Sequence, residues 1–341
     1  MPSALTSPQI TVYHSAADLP DSIWEMFHAH ARSANIVFPY AKKARRAVSS
    51  RTEGNLWIVC ASPQPGSRTS IDFVLSCTEG PLGPYPIFIF TPIPTSQLRP
   101  EFFTPRIHRL VCTLKDHVPP ERVFSVFALD VVTRTFATFW TKETGIPLDR
   151  DSEYYWANFT YCTRQTYKPR QHTLLPDIVY DLRPAVERDV QQAAELCYGF
   201  AAASEPFTLT QDEAIEEAAR LIREGQLWVH EITARGQAPE LASVVAVTRT
   251  SETVAGITKV YTNPKWRQRG CAERLTRFVC KQLLQSKESV VLYVAHNNPA
   301  AAKVYDRVGF VGLSSRNGPI EGVDSWLELG FDRHLVELGH W

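Results

Sequence analysis

In the stretch Val260-Tyr-Thr-Asn-Pro-Lys-Trp-Arg-Gln-Arg-Gly-Cys-Ala272, a strand-like run ends at Thr262, Pro264 stops it, and a polar turn leads into a helix starting near Ala272. A helix start has backbone N–H groups with no intrahelical partner, and the macrodipole makes that end attractive to anions. Gly270 lets the backbone approach an anion without a side chain in the way, and Ala272 is small enough for the same passage. Arg267 and Arg269 add donors for charge-assisted hydrogen bonds to phosphate oxygens. The stretch reads as an anion-binding strand–turn–helix connection.

Regular alternation surrounds it. Ahead lie a strand over Ile178–Leu182, helices over Ala185–Ala202 and Gln211–Glu224, and strands over Leu227–Ile232, Leu241–Arg249 and Thr253–Thr262. Behind it come an amphipathic helix over Ala272–Leu284, an apolar strand over Val290–Ala295 and a helix over Pro299–Val308 ending at Gly309. Phe310–Leu313 and Ser325–Phe331 read as a closing pair of strands. The order β-α-α-β-β-β-α-β-α-β-β describes one mixed α/β domain.

The first half repeats this order more faintly. Leu19–Ala31, Pro105–His117 and Val131–Thr141 read as helices; Leu56–Ala61, Ile71–Cys77, Ile87–Thr91, Val123–Leu129 and Glu153–Cys162 read as strands. Phe124–Gly145 and Val291–Gly309 share a strand, helix, aromatic and glycine succession, which points to a diverged tandem repeat. The polar, proline-containing stretch 163–176 reads as the linker. The expected organisation is therefore an N-terminal domain over 1–165 and a C-terminal domain over 173–341.

With 36 basic and 36 acidic residues, the net charge of zero argues against long-range steering to nucleic acid or an anionic membrane. No run approaches the roughly 20 apolar residues of a membrane span, and Met1–Tyr13 lacks the basic and apolar regions of a signal peptide. Seven cysteines without CxxC spacing read as reduced thiols, so the expected compartment is cytoplasmic. No metal-ligand spacing stands out, since His28 and His30 face different ways on a helix.

Val260, Thr262, Pro264, Arg267, Gly270 and Ala272 fill a pattern that resembles the coenzyme A signature of the GNAT acyltransferase superfamily: apolar-x-apolar-x-Pro-x-x-Arg/Gln-x-x-Gly-x-Gly/Ala. Thr262 stands for an aliphatic residue and Ala272 for the last glycine; neither adds bulk. A second stretch, Leu292-Tyr-Val-Ala-His-Asn-Asn298 followed by Ala301, Tyr305, Gly309 and Phe310, is similar to the family's other motif. The resemblance covers about Asp177 to Phe331. It implies the acyl-CoA N-acyltransferase fold, a mixed central sheet flanked by helices, here in two tandem copies.

The resemblance also implies a chemistry. Acetyl-CoA would be the co-substrate, with its diphosphate on the loop Arg267, Gln268, Arg269, Gly270, Cys271 and Ala272. Its pantetheine arm would lie along Val260–Thr262, whose strand splays from its neighbour, and against Asn298. Tyr305 matches the family's general acid for the departing thiolate; a phenol with a pKa near about 10 suits that role. Other readings stand beside these: Asn298 as N-cap of the helix at Pro299, Tyr305 as a packed core residue, and His296 as a loop histidine. Glu205, Glu252, Asp324 and Glu328 are the carboxylates considered as base, without a preferred one.

Thr91–His108, the first half's counterpart of the loop, has no glycine and several prolines, and carries Phe102 and Phe103. Prolines remove the N–H donors that phosphate needs, so this half is expected not to bind coenzyme A. The expected activity is acetyl transfer to a primary amine of a small molecule or amino-acid-like metabolite. The alternatives are a protein or peptide N-acetyltransferase and a non-catalytic acyl-CoA sensor. Neither nucleic acid, membrane nor metal is expected to take part.

Overall fold

The computed structural model describes residues 8–46, 55–63, 69–170, 178–314, 318 and 320–340. The chain forms two compact units, residues 1–157 with 324–341 and residues 158–323. The sequence-based boundary differs from this. Of the stretch 163–176, residues 171–176 lie outside the described ones, and the rest is bonded into unit 2: Lys168 N donates to Val308 O at 2.9 Å and Arg164 Nε to Leu284 O at 2.6 Å. Polarity alone does not distinguish a linker from a loop pinned by its side chains.

Unit 1 begins with β1 (Gln9–Tyr13), α1 (Asp21–Ala29) and α2 (Phe38–Arg46), followed by β2 (Leu56–Pro63) and β3 (Thr69–Cys77). A two-residue hairpin, β4 (Glu79–Gly80) and β5 (Gly83–Pro84), precedes β6 (Ile87–Phe90), α3 (Pro100–Lys115), β7 (Ser125–Leu129) and α4 (Asp130–Thr144). The next strand, β8 (Leu148–Thr163), carries the chain out of unit 1, and β14 (Asp324–Phe331) brings it back. The sheet order of unit 1 is β1-β2-β3-β6-β7-β14-β8, with β6 parallel to β7 and β14 antiparallel to β7. Two expectations fail here. Proline at N1 starts α3 at Pro100, ahead of the expected Pro105, which lies inside the helix. The helix α2 was not read at all, because its Lys/Arg-rich end hides the buried Phe38 and Ala41.

Unit 2 runs β9 (Ile178–Pro184), α5 (Val190–Ala201), α6 (Gln211–Arg223), β10 (Leu227–Ala234), β11 (Glu240–Thr250), β12 (Val254–Thr262), α7 (Cys271–Leu283), β13 (Ser289–Ala295) and α8 (Pro299–Val308). Thr210 and Glu213 open α6 with a reciprocal capping box, Thr210 N donating to Glu213 Oε2 at 2.7 Å and Glu213 N to Thr210 Oγ1 at 3.3 Å. The strands β9 to β12 are antiparallel neighbours, and β12 pairs with β13 in parallel. This repeats the strand order of unit 1. In each unit the helix after the parallel strand also ends on a left-handed glycine, Gly145 at φ 78° and Gly309 at φ 118°. Leu275 and Val279 of α7 and Tyr305 and Val308 of α8 form one apolar core with Val245, Ile257, Leu292 and Val294 of the sheet.

The expected closing pair of strands does not form. Residues 310–313 are not a strand, though Val311 N donates to Tyr161 O at 3.0 Å, and β14 pairs with β7 in unit 1. From Trp326 to Phe331 every residue of β14 is buried, as in a strand covered on both faces, and such a run does not reveal its partner from sequence. Removing residues 324–341 should therefore open unit 1 and leave unit 2 folded. Limited proteolysis with mass mapping should find new early cleavages within residues 1–157; cleavage confined to 158–323 would contradict the assignment.

Candidate functional site

Two bulges shape β12. The pairing of Ala246 with Lys259 is followed by Val247 with Ile257, and then Arg249 with Gly256, so each strand carries an extra residue. These are Thr258 and Thr248, whose hydroxyls bond at 3.0 Å. Bulges bend a strand and raise its twist. Beyond them the two parallel strands part: the β12–β13 register ends at Gly256 opposite Val291, while β12 continues to Thr262 and β13 to Ala295. The backbone of residues 257–262 is thus unpaired on its β13 side.

A short 3-10 turn, Pro264–Trp266, joins β12 to α7. It is fastened from below. Asn263 N donates to Ala242 O at 2.9 Å, Ser243 Oγ to Tyr261 O at 2.8 Å, and Trp266 is buried with Ile232, Ala242 and Cys271. Gln268 at φ 61° and Gly270 at φ 72° are both left-handed, and Gly270 is the N-cap of α7 with no side-chain cap. Left-handed backbone is costly for a residue with a Cβ, and Gln268 holds it in an exposed loop. Among the described residues the amides of Gln268, Arg269, Gly270, Cys271 and Ala272 donate to no protein group. Alternating handedness turns such amides toward one concavity, which suits an anion.

Charge around the loop is positive. Arg267 lies over Tyr261, its guanidinium carbon 5.5 Å from the ring centre, and Arg269 over Trp266 at 4.9 Å. Arg274, absent from the sequence reading, donates to Arg269 O at 2.5 Å and stands over Tyr180. A Cβ added at Gly270 would come within 3.0 Å of Arg274 Nη1. The first turn of α7 also holds Glu273, whose charge would repel a phosphate. Three arginines converge on it: Arg277 at 2.8 Å, Arg170 at 3.1 Å and Arg307 at 3.4 Å.

The other expected residues fall as follows. Val260 packs into the core, and the Thr262 hydroxyl meets Ser243 Oγ at 3.0 Å. Cys271 is buried, its thiol donating to Trp266 O, so its amide is what it can offer a ligand. Asn298 caps α8, its Oδ1 accepting from Ala301 N at 3.0 Å. Tyr305 is 8% exposed and packs edge-on against Phe310. His296 Nδ1 faces Asn158 Nδ2 at 3.4 Å. Glu205 is exposed in the loop between α5 and α6.

One of the considered carboxylates, Glu252, is not brought to the loop end of unit 2. Glu252 precedes Val254, at the opposite end of β12 from the loop, and strand residues advance about 3.3 Å each. Asp324 and Glu328 belong to unit 1, where Asp324 accepts from Thr95 Oγ1 at 2.6 Å and the buried Glu328 from Ser125 Oγ at 2.7 Å. Unit 2 holds a further acid that the sequence reading lacks: Glu217 of α6 pairs with Lys259 of β12 at 2.5 Å, both about nine-tenths buried. Its signal was legible, a glutamate set within the apolar stripe Ala214, Ala218 and Leu221.

In unit 1 the corresponding helix start offers fewer free amides. Phe102 N and Phe103 N both donate to Arg99 O, and Pro100 has no N–H. Arg106 lies over the Phe102 ring at 3.7 Å and is held by Asp72 at 2.8 Å.

Beneath the loop of unit 2, His230 is fully buried, with both ring nitrogens unpartnered among the described residues and its ring edge-on to Tyr180. Burial, with the Arg274 cation, pushes its pKa down to about 3. Below its ordinary value near 6.5 the unfolded chain takes up a proton that the folded chain refuses, so stability falls as pH falls. Denaturant melts should show this histidine contributing up to about 1.4 kcal/mol per pH unit through that window. His230→Phe should flatten the slope; an unchanged slope would contradict the neutral buried imidazole.

Residues 235–316 match the family model of FR47-like proteins. No curated protein matches the chain. Among solved structures, a Drosophila protein is similar with TM-score 0.58 and 10% identity, covering 95% of this chain and 99% of its own. A GCN5-related N-acetyltransferase from Sphaerobacter thermophilus gives 0.54 and 14%, covering 97% and 98%. A tandem GNAT protein of the clavulanic acid biosynthesis pathway gives 0.50 and 12%, covering 94% and 98%. The fold is that of the GNAT acetyltransferases in tandem form, and an FR47-like, GNAT-related domain occupies residues 235–316.

Proposed function

We propose that unit 2 is an acyl-CoA-dependent N-acyltransferase, moving an acetyl group from acetyl-CoA to the primary amine of a small molecule or amino-acid-like metabolite. One observation carries this reading: uncommitted amides from Gln268 to Ala272 crown α7, immediately beyond a strand whose β13 side is unpaired. The amides and the arginines around them suit a diphosphate. The open edge of β12 offers backbone groups to an amide-bearing arm such as pantetheine, and Asn298 has its Nδ2 to spare.

In the reaction the amine nitrogen attacks the thioester carbon, a C–N bond forms, and negative charge collects on the carbonyl oxygen before the C–S bond breaks. A free backbone N–H along residues 257–262 can stabilise that oxyanion. The departing thiolate takes a proton, for which Tyr305 is proposed on the family resemblance, and the ammonium loses one. The missing N–H at Pro100 and the bond from Phe102 N to Arg99 O support the companion reading that unit 1 takes no coenzyme A.

Gly270→Val would place a branched side chain at φ 72° against Arg274, and should weaken acetyl-CoA binding at least about tenfold in calorimetry without unfolding the chain. Tyr305→Phe keeps the ring and its packing on Phe310, and should lower kcat by roughly 100-fold with KM for acetyl-CoA little changed. Unchanged thiol release would remove Tyr305 from the chemistry. Acetyl-CoA binding without thiol release across a broad amine panel would replace the enzyme with a sensor.

A further inference from the structure

In unit 1 the packing of α3 against α4 gathers three chemically different donors that lie far apart in sequence. His108 and Cys112 are one turn apart on the same face of α3, and Glu143 lies in the last turn of α4. Their ligand atoms all fall within 4.8 Å of one another. His108 Nε2 lies 3.0 Å from Glu143 Oε1 and 3.6 Å from Cys112 Sγ. A tetrahedral Zn²⁺ holds sulfur at about 2.3 Å and nitrogen or oxygen at about 2.0–2.2 Å, so its ligand atoms stand roughly 3.3–3.7 Å apart. The nitrogen–sulfur spacing of 3.6 Å falls in that range, and the nitrogen–oxygen spacing of 3.0 Å lies a little below it.

Further features fit a cation better than a simple helix clamp. Cys112 is the cysteine that is not buried; the other six are. A clamp between His108 and Glu143 has no use for a thiol, whereas a thiophilic ion does. Glu143 sits at the negative end of the α4 macrodipole, where a carboxylate is unfavourable unless a positive charge compensates it. Here the His108 hydrogen bond and Lys115 hold it ionised, Lys115 Nζ lying 3.9 Å from Glu143 Oε2 and donating to Glu143 O at 2.6 Å, so the ligand would already be a carboxylate. Phe139, one turn before Glu143, packs its ring 4.5 Å from that of His108 and so fixes the imidazole's orientation.

We propose that His108, Cys112 and Glu143 form a binding site for a thiophilic divalent cation of the Zn²⁺ class, with a fourth position left to water. Binding breaks the His108–Glu143 hydrogen bond, the Nε2 proton passing to solvent while Nδ1 carries the proton of the neutral ring. Nε2, the Glu143 carboxylate and the Cys112 thiolate then bond the ion, the thiol proton also leaving to solvent. The ion ties α3 to α4 and is independent of the acyl-transfer reading of unit 2.

Titration of the reduced full-length chain with Co²⁺ tests this. One equivalent should produce a near-ultraviolet thiolate-to-metal band together with the intense visible bands of tetrahedral cobalt, and Zn²⁺ should displace both. Cys112→Ser should abolish the thiolate band, and His108→Ala and Glu143→Gln should each weaken Co²⁺ binding at least about tenfold. All three side chains are partly exposed, and circular dichroism of each variant should match the parent. Absence of the thiolate band in the parent chain, or its survival in Cys112→Ser, would overturn the proposal.

Discussion

Everything at the candidate site depends on the parting of β12 from β13 after Gly256. Two parallel strands that stay paired satisfy each other's backbone and leave no room between them. Here the bulges at Thr248 and Thr258 bend β12 away, and its last six positions, residues 257–262, have no strand partner on that side, where Thr262 O accepts from Arg267 Nε. The same bend sets where the chain enters the turn at Pro264 and hence how α7 presents its first amides. A ladder continuing to Thr262 would bury those groups in the sheet.

The turn below adds a second constraint. Trp266 and the bonds from Asn263 and Ser243 fix the base of the loop, so that left-handed backbone at Gln268 and Gly270 is imposed by surrounding structure. Glu273 shows how finely charge is arranged there. A buried carboxylate beside an anion site would be self-defeating, yet it is tied to three arginines and anchors α7 to the segment ending at Arg170. Unit 1 has the same strand order but lacks this device. Its equivalent helix has no N–H at Pro100, bonds Phe102 N to Arg99 O and covers Phe102 with Arg106.

Much of this was legible in the residues. The periodicities of α6, α7 and α8 and the runs of β10 to β13 announced themselves, as did Pro264 and Gly270 around the loop. What sequence concealed was non-local. Which strand β14 joins depends on a partner almost 200 positions earlier, since Leu327 lies opposite Ala128. Arg274 and His230 were missed because a basic residue inside a helix and a histidine inside a strand look ordinary until Tyr180 is placed between them. Cys112 and Glu143 likewise become neighbours only when α3 packs on α4.

The central claim is that an anionic nucleotide thioester is seated on the amides from Gln268 to Ala272. Hydrogen exchange resolved at single residues, with and without saturating acetyl-CoA, tests it most directly. Those five amides should gain protection while Phe102 and Phe103 in unit 1 exchange as before. Protection absent from residues 268–272, or appearing at the start of α3 instead, would contradict the account.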